Sequence, residues 1–341
     1  MDGEVLILAD PRGGAWDFAR GIYEALNSDP DRLVKYRLGE VEIKKFNDGE
    51  IFVKVLVNVR KKNCFFVHDS SMGAQDWAIS LVEVNDALVR SSAGAVHNVL
   101  PYMKYSRQDR MTEPRTPISA GVLARMIEIE ADGVITTDLH NPATTCAYTI
   151  PFDNLRAYLT IIKYVLNRYP DFLDNMVVVA PDVGSAEMAK SYAKKFVCDV
   201  AIVNKTRERA GVVGDMTLIG DVKGKNVLLV DDMIDTAGTL CKAAELLRDE
   251  GAEKVWACAT HGLFSGEAFE RLENSSIDKV IVCDSIPQKG GVAARGIPSE
   301  LGTSEEAPFS SGKIEVVSLV GLFADTIGRI AHGRSVSELF L

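Results

Sequence analysis

The sequence predicts an α/β protein of two domains, each a mainly parallel β-sheet flanked by helices. Three observations lead there. Ten short β-branched runs recur along the chain, and most are apolar on both faces, as strands buried inside a parallel sheet are. Between them lie stretches of helical periodicity, such as ISLVEVNDALVRSS (79–92) and LCKAAELLRDEGA (240–252), so the chain repeats a βαβ grammar. Finally, 341 residues with this many strands exceed one comfortable sheet, and the alternation restarts after about Asn154. Domains are therefore expected at 1–155 and 156–320. A helical tail, 321–341, is expected to pack back on the N-terminal domain.

Taken in order, VLILA, CFFVHD, AVHNVLPY and GVITTDL are the candidate strands of the first domain. MVVVAPD, VAIVN, NVLLVDD, KVWACAT, KVIVCDS and KIEVVSL follow in the second. The helix at 240–252 runs into Gly251, the residue type that ends helices in a left-handed cap. Residues 287–312, rich in Gly, Ser, Pro and Ala, read as a long surface loop, with an inserted look from Gln288 to Ser311. Lys205 to Asp215 carries charge and glycine without apolar period, and a mobile segment is expected there.

Composition narrows the function classes. A hydrophobic fraction of 47% with 25% charged residues is that of a globular protein. The net charge of -10 argues against nucleic acid and anionic membrane as partners, because both require a basic surface. It leaves room for a small anion held in a local basic pocket. Cys64, Cys146, Cys198, Cys241, Cys258 and Cys283 are scattered, none at CxxC spacing, and read as reduced core residues. The start MDGEVLILAD lacks the basic region of a signal peptide, and no apolar run is long enough to span a bilayer, so a cytoplasmic protein is expected.

The string from Val227 to Thr239 concentrates the chemistry. An apolar strand runs into Asp231 and Asp232, then Asp235, Thr236, Ala237, Gly238 and Thr239 open a helix. Ligands gather at the carboxyl ends of parallel strands, where two acids can accept hydrogen bonds from vicinal sugar hydroxyls. A turn of small residues at a helix start lets backbone N–H groups approach an anion. The bland alternative is an Asp/Thr helix cap, but the full string suits a sugar phosphate.

This string resembles the phosphoribosyl-pyrophosphate motif of the type I phosphoribosyltransferase fold. With FNDGE (46–50), YSRQDR (105–110), TPISAGVLARMIE, TTDLHNPAT, IPFDN, VVVAPDVGS, VNKTR, THGLFSG and CDSIP in this order, the chain resembles ribose-phosphate diphosphokinases from about residue 40 onward. Those motifs stand where no P-loop and no GxGxxG occurs. The resemblance implies two phosphoribosyltransferase-like domains, and transfer of the pyrophosphoryl group of ATP to ribose 5-phosphate with Mg²⁺. Phe46, Asp48, Gly49, Glu50, Arg107 and Gln108 would contact ATP, and His140 and Asp182 would hold the metal. Lys205 and Arg207 would act on the transferring group. Asp231, Asp232 and Asp235 to Thr239 would hold ribose 5-phosphate. The family's assembly implies a homo-oligomer, built from dimers and as large as a hexamer.

The chain departs from the family in four places. Its loop reads Lys205-Thr206-Arg207 without a middle arginine, MTEPR follows the RQDR string, the first strand reads LILADPRGG, and 288–311 is added. Two rival readings remain: a phosphoribosyltransferase, which shares the aspartate-rich string but needs neither FNDGE nor RQD, and a non-catalytic synthetase-associated subunit.

Overall fold

A computed structural model describes residues 4–28, 34–205, 216–288 and 312–340. These divide into two compact units, one from the described residues of Met1–Arg156, Ser285–Pro287 and Leu319–Leu341, the other from those of Ala157–Asp284 and Gln288–Ser318. Among the described residues no helix is long and apolar enough to cross a membrane.

The first unit carries strands β1 (Val5–Ala9), β2 (Tyr36–Lys45), β3 (Ile51–Val55), β4 (Asn63–Val67), β5 (Ala95–Leu100), β6 (Gly133–Thr137) and β7 (Phe152–Leu155), with helices α1 (Trp16–Asn27), α2 (Ala74–Arg90) and α3 (Ser119–Ile127). They form one sheet in the order β3-β2-β1-β4-β5-β6-β7, parallel except for the β2–β3 hairpin. β1 is buried along its whole length, as its doubly apolar sequence requires. Trp77, Leu81, Val84 and Leu88, spaced as one face of α2, close over Leu6, Leu8, Phe66 and Val96.

The second unit repeats the plan. Strands β8 (Met176–Ala180), β9 (Asp199–Lys205), β10 (Met216–Ile219), β11 (Asn226–Ile234), β12 (Lys254–Gly262), β13 (Lys279–Cys283) and β14 (Ile314–Val317) lie in the order β10-β9-β8-β11-β12-β13-β14, antiparallel only at β9–β10. Helices α4 (Tyr158–Arg168), α5 (Ala186–Phe196), α6 (Gly238–Asp249) and α7 (Ala268–Glu273) flank it. α6 buries Leu240, Cys241, Ala243, Ala244 and Leu247, and Gly251 follows at φ 90, the left-handed C-cap its sequence predicts. The last helix, α8 (Val320–Ala331), packs on α1, with Phe18 and Phe323 edge to face at 5.4 Å.

The sequence pattern finds ten of the fourteen described strands. The four it misses share a cause. β3, β7 and β10 are sheet edges, and β2 lies beside an edge, so their residues alternate or turn polar where one face meets solvent. At the opposite edge of the second sheet, Glu315 on β14 is buried yet charged. It accepts hydrogen bonds from Tyr164 (2.7 Å), Tyr169 (2.6 Å) and Lys279 (2.5 Å). Burial alone would raise this carboxyl, but the three donors hold it below its usual range.

Candidate active site

β8 and β11 are neighbours, and the loops that leave their carboxyl ends meet. After β8 the chain forms a tight turn in which Asp182 Oδ1 accepts from the Ser185 backbone N–H at 3.2 Å. Gly184 permits this fold-back, since a Cβ there would sit 3.0 Å from Asp182 Oδ1. Ser185 Oγ then donates to Asp231 Oδ1 at 2.8 Å, and the Asp232 N–H donates to the same oxygen at 2.9 Å. One serine thus bridges the two acids that close the strand ends.

Asp231 is the perturbed acid of the group. Burial, and then the neighbouring Asp232 and Asp182 carboxylates, push it up to about 7 against the pull of Ser185 and the Asp232 N–H. Such acids are suited to hydroxyl donors, which relieve the repulsion.

Beyond the acids, Ala237 takes the left-handed conformation (φ 60, ψ -2), and α6 begins at Gly238. A non-glycine residue in that region costs about 1 kcal/mol or more, and such strain concentrates at ligand sites. The turn is fastened by its neighbours. Ser265 N–H donates to the Asp235 carbonyl at 3.0 Å, and Arg271 Nη1 donates to the Thr236 carbonyl at 3.1 Å. Asp235 to Thr239 therefore form an ordered cup at a helix N-terminus.

The first unit offers a parallel that sets the site apart. Leu8 pairs with Phe66 there as Val179 pairs with Leu229 in the second unit, and the corresponding loops also meet. In the first unit the Gly14 N–H donates to Asp69 Oδ2 at 2.7 Å, while Ser71 N–H and Oγ saturate Oδ1. There both carboxylate oxygens of the acid are engaged by neighbouring backbone N–H groups and one serine hydroxyl.

The other predicted residues of the first unit fall in two groups. Phe46 to Glu50 form the exposed β2–β3 turn, closed by Phe46 N–H to the Glu50 carbonyl at 2.8 Å and by Glu50 N–H to Asp48 Oδ1 at 3.1 Å. Gly49 stands at φ 96, so the turn requires glycine. The Phe46 ring is 52% exposed and rests edge-on against Phe52, a shelf on which a flat ring can stack. Arg107 and Gln108 are also exposed, with Gln108 held by Ser119 Oγ and by Ala120 N–H. Asn141 Nδ2 donates to Asp109 Oδ2 at 2.5 Å, tying the RQD segment to the loop that bears exposed His140.

His140 belongs to the first unit and Asp182 to the second. Among the described residues no three His, Cys, Asp or Glu side chains gather as an ion-holding group. Lys205 ends β9 opposite Met216, whereas Arg207 and the added segment from 289 lie outside the described residues. Three contributors escape sequence reasoning: Ser185, Asn141 and Arg271. Ser185 and Asn141 lie inside VVVAPDVGS and TTDLHNPAT, but each of the three acts across 32 to 46 residues of chain, and no local pattern shows its partner.

Comparison with known proteins gives this geometry a family. A profile described as the N-terminal domain of ribose phosphate pyrophosphokinase matches residues 16–130, and one described as a phosphoribosyl synthetase-associated domain matches 208–341. A ribose-phosphate pyrophosphokinase of Chromobacterium violaceum is 42% identical over 305 residues, covering 89% of this chain and 88% of its own. The chain belongs to the ribose-phosphate pyrophosphokinase family. An Agrobacterium fabrum member is likewise 42% identical, over 89% of this chain and 92% of its own. The crystal structure of the phosphoribosylpyrophosphate synthetase from Mycobacterium smegmatis aligns with a TM-score of 0.80 at 30% identity, covering 97% of this chain and all of that one. The family's two mostly parallel sheets are those described above.

Proposed function

We propose that this chain is a working ribose-phosphate pyrophosphokinase. The 1-hydroxyl oxygen of ribose 5-phosphate attacks the β-phosphorus of ATP. The bond from that phosphorus to the α-phosphate oxygen breaks, AMP leaves, and the hydroxyl proton is released. The observation that carries this reading is the joined strand end of the second unit. Asp231, held by Ser185, stands next to a strained, fastened turn at the start of α6. Acids for sugar hydroxyls and N–H groups for the 5-phosphate are the two things ribose 5-phosphate needs.

ATP is assigned to the first unit's exposed groups, with Phe46 stacking on adenine, Asp48, Gly49 and Glu50 around it, and Arg107 and Gln108 on the phosphates. His140 of the first unit and Asp182 of the second are the residues that the family resemblance assigns to Mg²⁺. When bound, the ion neutralises polyphosphate charge as it spreads in the transition state. Lys205 at the end of β9 and Arg207 beyond it would add charge at the transferring group.

A Lys205→Ala variant tests the assignment. Turnover is expected to fall by about two orders of magnitude or more, with ribose 5-phosphate binding retained by calorimetry. Unchanged turnover removes Lys205 from the chemistry. The description matching 208–341 favours one second reading, a synthetase-associated subunit without activity of its own. Relatives near 40% identity that are named as the pyrophosphokinase support the enzyme instead.

A further inference from the structure

The turn that would receive the 5-phosphate is held from outside by one side chain that no motif includes. The Ile234 carbonyl accepts from Leu263 N–H (2.9 Å) and Phe264 N–H (3.1 Å), and the Asp235 carbonyl from Ser265 N–H (3.0 Å). Those bonds fasten the approach to the turn. At its strained centre Arg271 Nη1 reaches the Thr236 carbonyl at 3.1 Å across 35 residues of chain. The peptide that carries this carbonyl also carries the N–H of Ala237, the left-handed residue. In a planar trans peptide the two point in opposite directions, so pulling the carbonyl toward α7 turns the Ala237 N–H away from it.

The placement of the charge is informative as well. The Arg271 guanidinium lies 3.7 Å from where a Cβ on Gly238 would stand, beside the first residue of α6. A helix start is already positive, so a cation there is unfavourable unless a negative group joins it. Glu267 pairs with Arg271 at 2.9 Å, but that pair is exposed and offsets little. A phosphate in the cup supplies the missing charge.

We propose that Arg271 is a positioning residue for ribose 5-phosphate, locking the Thr236–Ala237 peptide in its anion-receiving orientation and adding positive potential behind it. This rests on the assignment of the turn to the sugar phosphate. It places the residue outside the reacting atoms, so its effect falls on sugar affinity rather than on the chemical step.

Arg271→Met, which loses fork and charge, and Arg271→Lys, which keeps the charge, are compared with the unaltered full chain. Two readouts are used: amide hydrogen exchange of the segment 235–240 without ligand, and binding of ribose 5-phosphate by calorimetry with KM for both substrates. The methionine variant is expected to exchange faster in 235–240 and to bind ribose 5-phosphate about tenfold more weakly, the effect of losing one charged hydrogen bond. KM for ATP should stay within about twofold. The lysine variant should recover part of the affinity. Unchanged exchange together with unchanged sugar affinity in a folded methionine variant overturns the proposal, as does an equal rise in both KM values. If the unaltered chain fails to bind ribose 5-phosphate, the assigned function falls, and the exchange result alone still decides whether Arg271 locks the turn.

Discussion

Replacing Ser185 with alanine removes the hydroxyl that donates to Asp231 and leaves the Ser185 N–H bond to Asp182 in place. The size of the effect follows from the structure. Asp231 titrates at about 7, because burial and the Asp232 and Asp182 carboxylates outweigh the hydrogen bonds that favour its charged form. A hydrogen bond to a charged group contributes about 1.5 kcal/mol, and about 1.4 kcal/mol corresponds to one pH unit. Losing Ser185 Oγ should therefore raise Asp231 further, the way burial and its acidic neighbours already push it. Ionised Asp231 is the form that accepts from sugar hydroxyls. Near neutral pH its population therefore drops, and ribose 5-phosphate should bind more weakly, by up to about tenfold for one charged hydrogen bond. Well above the shifted value the two proteins should bind equally. Calorimetric titration across that pH range measures it. A loss of equal size at every pH would refute the reasoning, because Ser185 would then touch the sugar itself rather than tune Asp231. The sign for folding runs the same way: a carboxyl raised on folding contributes stability at low pH that is lost as pH rises toward 7.

Three further outcomes follow from other parts of the molecule. Glu315→Gln leaves Lys279 beside a neutral partner in a buried cluster, and the second unit should lose about 3 kcal/mol in denaturant unfolding. Because the three donors hold Glu315 below its usual range, its contribution should persist at neutral pH and fade as acid protonates it. Ala237→Val forces a β-branched side chain into the left-handed region and should abolish measurable ribose 5-phosphate binding, whereas Ala237→Gly should keep it and raise the melting temperature. Asn141→Ala frees Asp109 of the RQD segment and should raise KM for ATP about tenfold without moving KM for ribose 5-phosphate.

What the sequence makes legible, and what it hides, follows one physical division. VLILA and MVVVA are buried on both faces, so nothing in them competes with the apolar signal of a parallel strand. YRLGEVEIKK alternates toward solvent and FDNL is a four-residue edge, and neither stands out from a loop. The sheet order, shared by both units, is set by pairings between distant strands that no local window contains. The site divides in the same way. Asp231 to Thr239 is legible because strand end, acids and turn are contiguous. Ser185 lies inside the VVVAPDVGS motif, yet its reach to Asp231 appears only when β8 and β11 pair. Asn141 lies inside TTDLHNPAT and Arg271 in no motif, and neither shows its partner until folding brings a carboxylate and a carbonyl to them.

Nucleotide release from ATP and Mg²⁺, with and without ribose 5-phosphate, is the most direct measurement of the reaction. AMP is expected, formed only with the sugar and in equal amount to phosphoribosyl pyrophosphate. ADP as the product would mean transfer of a single phosphoryl group. No nucleotide release at all would mean a chain that keeps the family's fold and turn without its chemistry. Either result would mean that this chain is not a working ribose-phosphate pyrophosphokinase.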